Sequence, residues 1–287
     1  MKISAIVTAH ERIEQTLATL TVIQSCTPPP DEVLVHVDAD RRDCEQAIRK
    51  AFATVRILVS KEQIGPGGGR NKLVDAAQSE FVASFDDDSY PIDSDYFARA
   101  AKLFEQFSDA AVICAALYHV GEGIGLDERS AQWTADFSGG ACIFRRQAFL
   151  DAGGYVPLPV AYGMEEVDLA IRLHSRGARI LTTRWLRVFH NTNLERHADP
   201  RVTAGSIANL ALLAYLRYPV TLWVVGMGQC ANRLLWLLRH GRRRGIWKGV
   251  TMIPAHLRAN HRYRLPVSAS AVRSYLALRR APIAERL

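Results

Sequence analysis

Over its first two hundred residues the chain alternates short apolar runs with longer segments of helical period, an order that few architectures accept. Strand-like runs fall at 3–8, 33–37, 55–59, 81–85 and 111–116, with helical patterns near 13–25, 43–53, 68–78 and 95–107. Strands separated by helices are joined by crossovers, so they lie parallel with helices on both faces. The expectation is an α/β fold with a mostly parallel sheet. A strand, a helix and a Gly-Gly turn are expected over 139–155, a helix over 164–176, and two short strands at 179–182 and 185–189. The stretch 117–133 has no clear period and holds Gly121, Gly123 and Gly125, so it reads as a loop.

Ligands of such sheets bind outside the carboxyl ends of the strands. Asp38 ends the second run, and Asp86, Asp87 and Asp88 close the fourth, so both can face one crevice. Carboxylates packed side by side repel, and a divalent cation would relieve that repulsion. Mg²⁺ and similar hard cations take oxygen ligands and share them with substrate phosphates. The same triplet also fits a solvated acidic turn, with Asp93, Ser94 and Asp95 starting the next helix. Upstream, Gly65-Pro66-Gly67-Gly68-Gly69-Arg70-Asn71-Lys72 leads into a helix. It lacks the order of a Walker A loop or a dinucleotide fingerprint. Glycines at a helix start nevertheless admit close backbone approach, and the helix N-terminus favours anions. With the aspartates one helix and one strand away, the pair reads as a site for a nucleoside diphosphate.

The chain here resembles family 2 of the inverting glycosyltransferases, whose catalytic domain has the GT-A fold. The opening Ile3-Ser4-Ala5-Ile6-Val7-Thr8-Ala9-His10-Glu11-Arg12 is similar to the family's first motif, although the family commonly carries Pro, Thr, Tyr and Asn where this chain has Thr8, Ala9, His10 and Glu11. Asp38 resembles its base-reading acid, 65–72 its Gly-rich Arg-Asn helix start, and Asp86–Asp88 its D-x-D metal motif. Gly139-Gly140-Ala141-Cys142 and Gly153-Gly154-Tyr155 resemble the segment lining the sugar and acceptor pocket. Met164-Glu165-Glu166-Val167-Asp168-Leu169 is similar to the acidic base motif, commonly Glu-Asp, and Val188-Phe189-His190 to the late histidine.

The resemblance implies single displacement by an acceptor hydroxyl on a hexosyl or deoxyhexosyl donor. It carries Thr8, Ala9, Glu11, Asp38, Gly67, Arg70, Asn71, Asp86, Asp87 and Gly140 toward the nucleotide sugar. It implies Mg²⁺ or Mn²⁺ on Asp88 with Asp86, which could instead turn to the ribose. His190 completes the metal shell, touches the diphosphate or packs as a structural histidine. Glu166 is the implied general base and Glu165 its rival, since one helical step turns them about 100° apart. Asp168 either holds the acceptor or pairs at the surface with Arg172, four residues on. Arg70 contacts phosphate or secures the helix start by a salt bridge. Loops 117–133 and 155–164 would shape the substrate pocket.

Past residue 200 the text changes. Residues 1–200 hold 21 Lys and Arg against 28 acids, whereas 201–287 hold 15 against the single acid Glu285. That asymmetry divides the chain into a catalytic unit, 1–200, and a basic helical region, 201–287, with an anionic partner. No nucleic-acid recognition module is present, which favours a membrane surface. The uncharged runs 202–216 and 218–232 are 15 residues each, short of the roughly 20 needed to span a bilayer. The expectation is helices lying in the interface, with Arg239, Arg242, Arg243, Arg244 and Lys248 toward headgroups and Trp223, Trp236 and Trp247 at the boundary; the alternative is an ordinary helical C-terminal subdomain with a basic face. The start of the chain shows no secretory leader, and five scattered cysteines have no zinc or redox spacing. The expected setting is therefore cytoplasmic, peripheral to the inner face of the membrane, with a glycan or polyprenyl-linked glycan as acceptor. The competing reading is a catalytically silent nucleotide-sugar sensor or scaffold on the membrane, which the intact carboxylates disfavour.

Overall fold

The computed structural model describes residues 1–158, 164–192 and 199–287; part of the expected pocket loop 155–164 lies outside these residues. The first half builds the expected parallel unit. Strands β1 (Ile3–Ala9), β2 (Glu32–Val37), β3 (Arg56–Val59) and β4 (Phe81–Asp86) alternate with helices α1 (Ile13–Ser25), α2 (Arg42–Ala51) and α3 (Gly65–Ala76). They lie side by side in the order β3-β2-β1-β4, all parallel. Strand residues alternate between two cores. Ala5, Val7, Val35 and Phe85 join Leu20, Ile23 and Phe104 on one face, while Ile6, Leu34 and Val82 join Leu73, Phe144 and Leu169 on the other. A sheet buried on both faces needs this near-continuous apolar text.

Beyond β4 the sheet becomes mixed. A short β5 (Ser89–Pro91) and α4 (Tyr96–Gln106) lead to β6 (Ala110–His119), then β7 (Ser130–Thr134), β8 (Ala141–Arg145), α5 (Arg146–Asp151), α6 (Glu165–Ser175) and β9 (Arg179–His190). Strand β8 inserts antiparallel between β4 and β6, and β9 runs parallel to β6. The expected loop 117–133 is in part strand: β6 extends to His119, and β7 pairs antiparallel with β9 through buried Ala131 and Trp133. The two strands expected at 179–189 are one, with a register shift against β6 between Ala115 and Ala116.

The C-terminal region forms α7 (Pro200–Arg217), α8 (Trp223–Arg239), α9 (Ile246–Ala259), α10 (Ala269–Arg280) and β10 (Ile283–Arg286). Among the described residues no helix is long and apolar enough to cross a membrane. α7 does not lie at the surface, because Ile207, Ala208, Leu212, Leu213 and Leu216 are buried in the core that also holds Leu169 and Leu173 of α6. β10 pairs antiparallel with β7, which makes it the outer strand of the order β10-β7-β9-β6-β8-β4-β1-β2-β3. The change of composition at residue 200 therefore does not mark a change of core.

Candidate active site

The crevice forms at the carboxyl ends of β1, β2 and β4, closed by the N-termini of α3 and α6. The β4–β5 turn carries Asp86, Asp87 and Asp88. Its shape is set by Ser89, whose Oγ accepts from the Asp86 N–H at 2.7 Å and donates to the Gly140 carbonyl at 2.7 Å. The β5–β9 pairing sets Ser89 opposite His190 in register, which brings a side chain a hundred positions away to the triplet. His190 Nε2 lies 3.1 Å from Asp88 Oδ1 and 3.9 Å from Asp86 Oδ2. One ligand atom from each of these three residues falls within 4.8 Å of the others. Asp88 Oδ1 is buried, and the His190 ring faces it. Two carboxylates and an imidazole arranged in this way are a donor set that fits a divalent cation.

Arg12, at the start of α1, is the residue that sequence reasoning quoted without giving it a role. Its guanidinium pairs with Asp87 and Asp88, with Nε 3.1 Å from Asp87. Burial, with the like charges of Asp88 and Asp86, pushes Asp87 up to about 7 against the pull of Arg12. Burial likewise opposes ionisation of Asp88, but hydrogen bonding to His190 and the charge of Arg12 hold its pKa below the ordinary value. His190 is drawn down by burial and more than restored by Asp88 and Asp86, ending above its usual range.

Arg70 is buried at 2% exposure. Its Nε donates to Ser84 Oγ at 3.0 Å, and its two terminal nitrogens go to Asp86 and to Glu165, the latter at 3.5 Å. The bridge ties the Asp86–Asp88 turn to the Glu165–Glu166 pair. Glu165 and Glu166 open α6, where the helix dipole favours carboxylates. Burial and mutual repulsion raise the Glu165 pKa, and burial raises that of Glu166, with Arg70 opposing both shifts. Glu165 is 3% exposed while Glu166 is half-buried. Glycines make the room: a Cβ at Gly67 would stand 2.1 Å from Glu165 Oε2, and one at Gly140 2.2 Å from Asp86 Oδ2. At Gly139 it would stand 2.9 Å from Glu166 Oε1.

Other expected residues have partners of their own. Both Asp38 oxygens are engaged, accepting from the backbone N–H groups of Ala39 (3.1 Å), Ile64 (3.0 Å) and Gly65 (2.9 Å). The anion at the α3 N-terminus is therefore this chain's own carboxylate. Asp38 still lines, with Thr8, Ala9, Arg12 and Asp86, a cavity of about 330 Å³. His36 lines it too, and burial keeps its imidazole neutral, lowered to about 4. Asn71 exchanges two hydrogen bonds with the Tyr155 backbone and so fixes the Gly153-Gly154 turn instead of facing the cavity. Glu11 is exposed and pairs with Arg41 at 3.0 Å. Asp168 corrects the surface pairing expected for it: it is fully buried, with Arg172 at 2.6 Å and Arg217 of α7 at 2.5 Å.

Residues 4–153 match the family model described as Glycosyl transferase family 2, which is more than half of the 287 residues. No curated protein matches. Among solved structures, the chain resembles the mannosyltransferase PcManGT from Pyrobaculum calidifontis in complex with GDP-Man and Mn²⁺, with TM-score 0.60 and 15% identity over 96% of this chain and 79% of that one. It is also similar to S. aureus TarS 1–349 in complex with UDP-GlcNAc, with TM-score 0.56 and 16% identity over 91% and 93%. GalNAc-T7 with UDP, GalNAc and Mn²⁺ gives TM-score 0.61 and 12% identity over 77% of this chain, which spans about half (48%) of that protein. At these identities the likeness establishes a GT-A-like fold.

Proposed function

Because the chain belongs to glycosyl transferase family 2 and so transfers sugar from a nucleotide sugar, we propose that it is an inverting, cation-assisted hexosyltransferase with Glu166 as general base. The acceptor is a hydroxyl of a glycan or polyprenyl-linked glycan. The observation that carries this reading is the convergence of the Asp86–Asp88 turn and the Glu165–Glu166 pair on one crevice through Arg70. The half-buried position of Glu166 favours it over Glu165, which lies under Gly67 and Arg70.

In this mechanism Glu166 takes the proton of the acceptor hydroxyl as its oxygen bonds to the anomeric carbon. The bond from that carbon to the phosphate oxygen breaks on the opposite face, and the diphosphate leaves. General-base help of this kind supplies about 10²–10⁴-fold. Asp86, Asp88 and His190 are the residues that would hold Mg²⁺ or Mn²⁺, which neutralises charge on a leaving diphosphate. The crevice's own cations are committed, Arg12 to Asp87 and Asp88, and Arg70 to Asp86 and Glu165. Asp38 occupies the first N–H groups of α3. A diphosphate therefore meets a surplus of carboxylates here, which supports the need for a cation. The Mn²⁺-bearing structures with related folds support it as well.

The proposed working position is the cytoplasmic face of a membrane. Val224, Met227 and Trp247 are exposed at 72%, 64% and 78%, and the same helical region carries Arg242, Arg243, Arg244 and Lys248; apolar and basic groups of this kind favour anionic lipid. The test of the central reading is calorimetric binding of UDP-, GDP- and dTDP-sugars with Mn²⁺ or Mg²⁺ and with chelator. One donor class should bind in a metal-dependent way, and absence of binding across the panel would overturn the proposal.

A further inference from the structure

The carboxylates of Asp86 and Asp88 are each divided between two neighbours. Asp86 Oδ1 accepts from Arg70 Nη2, while its Oδ2 lies 3.9 Å from His190 Nε2. Asp88 Oδ2 accepts from Arg12 Nη1, while its Oδ1 lies 3.1 Å from the same imidazole nitrogen. An arginine thus takes one oxygen of each carboxylate, and the other oxygen is left toward His190. The terminal torsion of an aspartate is soft and roughly two-fold, so the group that holds one oxygen decides where the other points.

The backbone of the turn is held by other groups. The Asp86 N–H donates to Ser89 Oγ, the Asn191 N–H donates to the Asp88 carbonyl at 2.8 Å, and Thr19 Oγ1 of α1 donates to the Asp87 carbonyl at 3.0 Å. Arg12 starts from a fixed point as well. It is the N-cap of α1, and its carbonyl accepts from the Thr16 N–H at 2.9 Å and the Thr16 hydroxyl at 2.7 Å. Its guanidinium forks onto Asp87 through Nε and Nη2, which leaves Nη1 for Asp88. Asp87 is not one of the three residues grouped around the cation seat; it holds the arginine. A planar guanidinium can span two carboxylates in this way, whereas an ammonium is a point charge.

We infer that Arg12, anchored by Asp87, is a positioning residue of the cation site that turns Asp88 Oδ1 toward the seat beside His190, a role that rests on the cation-assisted reading above. The central aspartate and the last residue of the opening motif then share one task, and neither touches the cation. The charge of Arg12 taken alone would act in the opposite sense, because a positive group beside the seat repels a divalent ion. Orientation and charge therefore differ in the sign of their effect. Loss of a hydrogen-bond partner behind a metal ligand costs about 10–100-fold in metal affinity, so orientation outweighs the relief of repulsion at this partly exposed arginine.

The test is a Mn²⁺ titration of the full chain, alone and with saturating UDP or GDP, read by water-proton relaxation enhancement, with the metal-free melting temperature as the check on folding. Arg12→Gln should bind Mn²⁺ about tenfold more weakly than wild type, or worse. Arg12→Lys keeps the charge but not the fork, should show the same loss, and carries the test should Arg12→Gln fail to fold. Asp87→Asn should weaken binding too, and the double variant with Arg12→Gln should be no weaker than Arg12→Gln alone, because both changes act through one contact. Equal or tighter Mn²⁺ binding in Arg12→Gln overturns the positioning role alone, and so does full affinity in Arg12→Lys. Absence of Mn²⁺ binding by wild type under every condition overturns the cation-assisted reading itself, and the positioning role with it.

Discussion

Two buried clusters in this protein use the same residue types to opposite ends. At the junction of α6 and α7 a single carboxylate, Asp168, lies between Arg172 and Arg217. Each arginine also donates to backbone carbonyls: Arg172 to Ala152 and Gly154, and Arg217 to Tyr263 and Leu265. Positive charge is in excess there, and each group has partners. In the crevice the balance is reversed. Asp86, Asp87, Asp88, Glu165 and Glu166 surround Arg12 and Arg70, and the buried Oε2 of Glu165 accepts no hydrogen bond. A satisfied ion cluster fixes helices in place, whereas a cluster with surplus lone pairs is prepared for a cation and a proton. Partner arithmetic, more than burial or charge, separates scaffold from site.

The strongest challenge to that distinction is deletion of 201–287. It would strip Arg217 from Asp168 and remove the α7 cover from α6, so no folded protein should be recovered by size-exclusion chromatography. A soluble, cooperatively melting 1–200 fragment would show that the junction is dispensable. Next in size is Glu166→Gln, expected to lower turnover by about 10²–10⁴ while nucleotide-sugar affinity holds. Retained turnover would move the base elsewhere. Asp168→Ala leaves two buried guanidinium groups without their carboxylate and should cost about 3–5 kcal/mol in urea unfolding, with donor binding intact in the surviving folded fraction.

The pH dependence sharpens the contrast further. Burial and the charge of Glu166 raise the folded-state pKa of Glu165 above its unfolded value. The stabilisation linked to its proton is therefore whole below the unfolded pKa and is lost as pH rises through the folded one. Metal-free protein should lose stability as pH rises above the ordinary glutamate range, and Glu165→Gln should flatten that slope. The acid limb of the rate profile should likewise sit above the ordinary glutamate range, because burial raises Glu166. The smallest effect is expected at the surface. Replacing Arg243 and Arg244 with Ala should weaken cosedimentation with phosphatidylserine vesicles by about 1 kcal/mol per residue and leave thermal stability unchanged. Equal sedimentation of variant and wild type would remove the membrane proposal.

The parallel half of the fold and the order of the site motifs were legible because strand period, helix period and Gly-rich starts are local signals. Pairing is not local. Nothing near Arg12 announces that it reaches Asp87 and Asp88, and Asn71 reads like a ligand contact until its amide is seen clasping Tyr155. Asp168 and Arg172 did announce their pairing through i,i+4 spacing, but their burial depends on Arg217, 49 positions on. The 15-residue apolar run in α7 suggested an interfacial helix because a core helix and a membrane-surface helix carry similar text. Strands β7 and β10 escaped notice because each is short and gains its hydrogen bonds only from a distant partner.

That last pairing bears on how the molecule reaches its shape and avoids others of its kind. Trp133 Nε1 donates to Glu285 at 2.8 Å across 152 positions of chain. Loop closure over such a span is entropically expensive, which puts it among the late steps of folding. Until then β7 presents an open row of backbone donors and acceptors, a template onto which another chain can add. The four residues Ile283–Arg286 therefore act as a guard strand, and a chain clipped before them should keep its crevice yet self-associate through the bared edge.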